Sequence, residues 1–158
     1  MEKRILTYIL KEFKELHEGE NWLDETFEKK LKSLTDEQAF TKPYPRVHSV
    51  AEVISHLVEW RIEILRRLRT ATPNQLPDER DWIDNETLRN QGWQQLLERL
   101  NSTRQEITDF LSEREDDFIQ VPWTDKYTNR YLLTGLIEHD AYHLGQIGLI
   151  IAMLKKKD

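Results

Sequence analysis

Residues 129–154 read NRYLLTGLIEHDAYHLGQIGLIIAML, and the spacing of their apolar side chains decides the fold. Leu133, Leu136, Ile137, Leu144, Ile147, Ile151 and Leu154 gather on one arc of a helix that turns about 100° per residue. The run is far longer than an ordinary strand and shows no alternation of period two. Its most apolar part, Leu144 to Leu154, is too short to cross a bilayer, which takes about 20 residues.

Working outward from this segment, three more periodic stretches appear. The first runs from about Glu2 to Leu34, with Ile5, Ile9, Phe13 and Leu16 at helical spacing. It is interrupted at Gly19-Glu20-Asn21 and resumes through Trp22, Phe27, Leu31 and Leu34. This predicts a kinked helix or two consecutive ones, with Asn21 as an N-cap. Pro43 and Pro45 then stand too close together to lie inside a helix. The second stretch opens at Ser49, with Glu52 three residues on, the pattern of a capping box, and carries Val50, Val53, Ile54, Leu57, Ile64, Leu65 and Leu68. Pro73 to Asp84, with Pro77, reads as an extended loop. The third stretch covers roughly Glu86 to Ser112, with Leu88, Leu96, Leu100, Ile107 and Leu111, and Pro122 separates it from the fourth. Four long amphipathic helices predict an all-α four-helix bundle spanning 1–158 as one domain. Loops of this length leave the helix order open.

Composition narrows the class. The 158 residues are 38% hydrophobic and 33% charged, with five Gly and five Pro, a balance that suits helices and opposes disorder. With no cysteine, disulfide frameworks, thiolate metal sites and thiol nucleophiles are excluded. The N-terminus mixes charges and carries no signal-type apolar stretch, so a cytoplasmic protein with no membrane partner is expected. The net charge of −6 leads to the expectation of no nucleic-acid partner. The runs Arg66-Arg67-Arg69 and Lys155-Lys156-Lys157 suit the negative ends of helix dipoles.

The candidate chemistry lies in the histidines. His143 falls within the apolar arc of the fourth helix and His139 at its edge, about 40° further round. Residues four apart project to one side of a helix, the spacing that presents two imidazoles to one metal. Such a pair is also common as surface or core filling. His56 stands at the same kind of border on the second helix, beside Val53 and Leu57. Border positions of facing helices line the cleft between them, and a divalent ion would satisfy three imidazoles meeting there. Asp140 lies near the middle of the apolar arc and needs a cation or several donors. It is either an acceptor orienting an imidazole or a neighbouring loop, or a tie to a helix N-terminus at Ser49 or His48. Gln146 shares the side of His139, facing either the pocket or solvent. Asp140, Tyr142 and Glu63 are the candidates for proton transfer. His17 and His48 lack partners at ligand spacing, and Trp22, Trp60 and Trp82 are expected to pack rather than to form a cofactor box.

Several ordered motifs resemble one family. They are Gly19-Glu20-Asn21-Trp22, then His48-Ser49-Val50 leading to His56-Leu57-Val58-Glu59-Trp60, and finally Glu138-His139-Asp140-Ala141-Tyr142-His143-Leu144-Gly145-Gln146-Ile147. In this order and spacing the chain resembles the DinB-like metal-binding bundle proteins over nearly its whole length. The resemblance implies a four-helix bundle with crossover connections, often paired as a homodimer. It also implies a divalent metal, typically nickel or zinc, on His56, His139 and His143. Asp140 and Gln146 belong to the family signature without an assigned role, and Glu138 stands where many relatives carry another histidine. Relatives with an activity are mostly transferases that join low-molecular-weight thiols to electrophiles, or metal-dependent hydrolases of small molecules. The expectation is therefore a metal-dependent thiol S-transferase or hydrolase acting on a small-molecule substrate. The alternative is a non-catalytic, dimeric metal- or ligand-binding stress-response protein.

Overall fold

The structure, a computed structural model, describes residues 4–72 and 75–156. Glu2, Pro73 and Lys157, named above, lie outside the described residues. Four long helices dominate: α1 (Arg4–His17), α4 (Val50–Thr70), α7 (Trp93–Ser112) and α8 (Asn129–Lys155). Between them come the short helices α2 (Phe27–Leu31), α3 (Asp36–Phe40), α5 (Asp78–Asp81) and α6 (Asn85–Gln91), and a 3₁₀ turn at Asp116–Gln120. Among the described residues there is no strand, only an isolated bridge between Pro122 and Thr128. No helix among them is long and apolar enough to cross a membrane.

Local sequence explains most helix ends. The Ser49 hydroxyl accepts from the Glu52 amide, and the Glu52 carboxylate accepts from the Ser49 amide, so the capping box sets the first turn of α4. The interruption after α1 is a loop rather than a kink. Gly19 adopts φ +105°, a backbone turn that other residues resist. Asn21 is not a helix cap; its amide donates to the carbonyls of Glu15 and Glu25 and closes the loop on itself. Thr26 caps α2 instead. The third stretch is also divided, because Gly92 at φ +95° separates α6 from α7. Trp22 is 99% exposed and packs against none of the described residues, contrary to expectation.

Helix α4 packs against α7 and α8, and α1 packs against the same two helices. Thus α1 lies diagonal to α4, and α7 diagonal to α8, so the chain crosses the bundle between α1 and α4 and again between α7 and α8. The apolar core falls into two clusters. One includes Phe13, Leu65, Ile107 and Leu133; the other includes Phe27, Leu57, Trp93 and Ile147. Between them lies a polar layer built on Arg61 and Asp140, both 0% exposed. The Arg61 guanidinium donates to the two Asp140 carboxylate oxygens at 2.6 and 3.4 Å, to His17 Nε2 at 2.7 Å and to the Leu100 carbonyl at 3.3 Å. It also faces the rings of Phe13 and Phe27. Since Arg61 only donates, His17 must accept through a neutral ring. Burial and the nearby Arg61 charge hold its pKa well below the ordinary value.

Candidate metal centre

The packing of α4 on α8 brings His56 to His139 and His143, which lie one turn apart on α8. The three rings meet through their Nε2 atoms. His139 Nε2 lies 3.1 Å from His56 Nε2 and 3.1 Å from His143 Nε2, and all three donor atoms fall within 4.8 Å of one another. Two nitrogens bound tetrahedrally at zinc distances would lie about 3.3 Å apart, so the cluster needs little adjustment to hold an ion.

The far side of each ring sets its tautomer. His56 Nδ1 is 2.9 Å from the Asp81 carbonyl and 3.1 Å from Asp81 Oδ1. Both oxygens only accept, so this nitrogen carries the proton. His143 Nδ1 donates to Gln146 Oε1 at 2.6 Å, and Gln146 Nε2 donates in turn to the Tyr142 hydroxyl. Both Nε2 lone pairs therefore point at His139, whose Nδ1 is buried without a partner. Without a cation, these lone pairs could share at most one proton, from His139. The donor set thus fits a divalent ion, and the three histidines could hold one.

Burial favours the neutral rings that bind metals. It lowers His139 to about 3 and His143 to about 4, with the neighbouring imidazoles adding to the effect, and it lowers His56 despite the opposing Asp81. Among the described residues no fourth His, Asp or Glu joins the three, so an ion held there would keep a position for water or substrate, as catalytic sites do.

The supporting residues come from the segment that sequence reads as an extended loop. Asp81 ends the short helix α5, and its Oδ1 also accepts from Trp60 Nε1 at 2.7 Å. Trp82 stacks on His56 at 4.0 Å and on His48 at 3.8 Å, nearly parallel to both. Sequence reasoning missed Asp81, and it read Trp82 as a packing residue without placing it on His56. The Pro77-Asp78-Glu79 start, typical of a helical first turn, was the available signal for α5. It also missed Arg61, which stands four residues after Leu57 and three before Ile64, inside the apolar stripe of α4.

The other candidates have clear places. Asp140 spends its carboxylate on Arg61 rather than on an imidazole of the cluster or the start of α4. Burial pushes its pKa up and the Arg61 guanidinium pulls it back. Glu63 is tied to Arg66 and Arg67, which hold it below its usual value. Tyr142 is 63% exposed. Of the residues picked from sequence, Gln146 reaches the cluster through His143.

The comparisons with known proteins agree with this fold. The sequence model of the DinB superfamily matches residues 21–147. No curated protein matches the chain. Among solved structures, the colibactin self-resistance protein ClbS, determined in complex with a dsDNA, superposes with a TM-score of 0.62. The match covers 92% of this chain and 91% of ClbS at 19% identity, a likeness of fold. It corrects the expectation of no nucleic-acid partner. A protein of the same fold sits on double-stranded DNA, and phosphate contacts depend on local charge, so a net charge of −6 excludes nothing.

Proposed function

We propose that this chain, which belongs to the DinB superfamily, holds one divalent ion, nickel or zinc, on His56, His139 and His143 and uses it for thiol S-transfer to, or hydrolysis of, a small molecule. The observation that carries the reading is the convergence of three Nε2 atoms, two of them fixed as lone-pair donors by Asp81 and Gln146. A divalent ion supplies Lewis acidity, lowering the pKa of a bound thiol or water so that a nucleophile exists at neutral pH.

The chain's own residues do the positioning. Asp81 and Gln146 fix two imidazoles, Trp82 covers the face of His56, and Trp60 is locked by its bond to Asp81. Asp140 and Glu63 are engaged by arginines. A proton released by a thiol or water would therefore pass to solvent or to the substrate.

Metal analysis of protein purified without a histidine tag tests the centre. Wild type is expected to carry about one metal per chain and His143→Ala far less. Equal metal in both would refute the assignment. Thiol conjugation assayed with and without a chelator then separates an enzyme from a metal-binding protein that performs no chemistry.

A second reading, favoured by the ClbS complex, is that this chain contacts double-stranded DNA. Titration of a labelled duplex at about 50 mM and about 200 mM salt tests it, because phosphate contacts weaken steeply over that range. Absence of binding at the lower salt removes this reading.

A further inference from the structure

Beside His139 a cavity of about 590 Å³ opens between α4, α8 and the segment 121–128. Trp60, Trp123, Tyr127 and Tyr131 form its walls, and α8 contributes Gly135 and His139. The size lies within the ordinary range for small-molecule sites, and His139 and Trp60 link the cavity to the metal centre.

Three of the rings share nearly one orientation. Trp123 and Tyr131 are parallel within 7°, and Tyr127 and Tyr131 within 20°, with centroids 4.1 Å apart in the second pair. The three rings form one aromatic stack at the wall, a surface that suits an aromatic ligand. The charges at the wall are balanced. Arg67 stacks over Trp60 and Trp123, and its Nε donates to Glu63 at 2.7 Å; Glu138 also lines the cavity. Arg67 is offset by Glu63, and Lys126 over Tyr127 is offset by Glu138, so neither sign is favoured.

Gly135 adds an independent observation. A Cβ at this position would meet nothing within 4 Å. Packing does not call for a glycine here, and in a helix interior it costs about 1 kcal/mol relative to alanine. Its missing side chain keeps that part of the cavity wall open.

We infer that this cavity binds the electrophilic co-substrate, a flat, conjugated, uncharged molecule of one or two fused rings such as a quinone or aryl enone. This rests on the His56–His139–His143 centre being the reactive one, since His139 is shared between them. Thiol addition to such a ring balances without a further reagent. The sulfur–carbon bond forms at the β-carbon, the C=C π pair shifts to join the α-carbon to the carbonyl carbon, the C=O π pair moves onto the oxygen, and the proton lost by the thiol ends on that oxygen or on the α-carbon.

The test is quenching of tryptophan fluorescence by 1,4-naphthoquinone, with metal content measured on the same samples. Wild type is expected to bind saturably. Gly135→Leu, which adds a side chain to open space, is expected to bind about tenfold more weakly with metal content unchanged. Tyr131→Ala, at a position 54% exposed, keeps the fold and is expected to lose severalfold. The anionic 1,2-naphthoquinone-4-sulfonate is expected to bind about tenfold more weakly than the neutral quinone. Unsaturable quenching, or equal affinity in wild type and Gly135→Leu, overturns the inference. Metal-free wild type refutes the centre instead, and leaves the ligand class to be decided by the quinone titration alone.

Discussion

Replacing Asp140 by alanine would leave the Arg61 guanidinium charged and dry in the middle of the bundle. Both side chains are 0% exposed, and the carboxylate lost is the only anion bonded to Arg61 among the described residues. The remaining partners, His17 Nε2 and the Leu100 carbonyl, are neutral. Breaking a buried pair from one side costs about 3–5 kcal/mol. That is a large part of the roughly 5–15 kcal/mol by which domains are stable. With a urea slope of about 2 kcal/mol/M, a loss of about 4 kcal/mol lowers the unfolding midpoint by about 2 M. The double variant Arg61→Met/Asp140→Leu removes both charges and should recover much of this loss, since apolar replacement of a buried pair is often neutral. The four proteins together form a double-mutant cycle that isolates the coupling. Metal affinity should change little in Asp140→Ala, because the carboxylate holds no imidazole of the cluster. Groups that orient a ligand typically cost about 10–100-fold when removed. A midpoint shift below about 0.5 M, or a double variant no more stable than the single one, would refute the account of the polar layer. A large loss of metal affinity would restore Asp140 as an orienting group.

Gln146→Leu removes the acceptor of the His143 Nδ1 proton and should weaken metal binding by about 10–100-fold, read by competition against a chromogenic chelator, while stability changes little. Metal-free protein should lose stability on acidification. His17, His56, His139 and His143 all lie below 6.5 when folded, so the unfolded chain takes up protons first. The contribution is complete above about pH 6.5 and is lost as pH falls through the folded values. Urea midpoints at about pH 7.5 and about pH 5 with a chelator present check the sign, and an unchanged midpoint contradicts it. Ser49→Ala removes both the cap of α4 and a partly buried bond to Asn85 at 2.7 Å. It should cost about 1–2 kcal/mol in urea unfolding.

The helices were legible because their signals are local. Ser49 and Glu52 lie within one turn of each other, and the apolar arcs of α4, α7 and α8 need only a constant turn per residue. The breaks were less so. Gly19-Glu20-Asn21 marks an interruption, but whether it kinks a helix or closes a loop depends on the carbonyls of Glu15 and Glu25 that Asn21 reaches.

By itself the sequence determined an all-α chain, with His139 and His143 on one side of one helix and Asp140 inside an apolar arc. Which groups would meet them was decided only by packing. His56 is 83 positions from His139, and Arg61 is 79 positions from Asp140. Both distances close because α4 lies against α8. The same packing drew Asp81 and Trp82 out of a proline-bounded loop to the metal centre, and set the aromatic segment before α8 beside His139. Periodicity tells a helix which face to bury. It carries no record of the partner, because a buried polar group selects its counterpart through long-range contacts that no local pattern encodes.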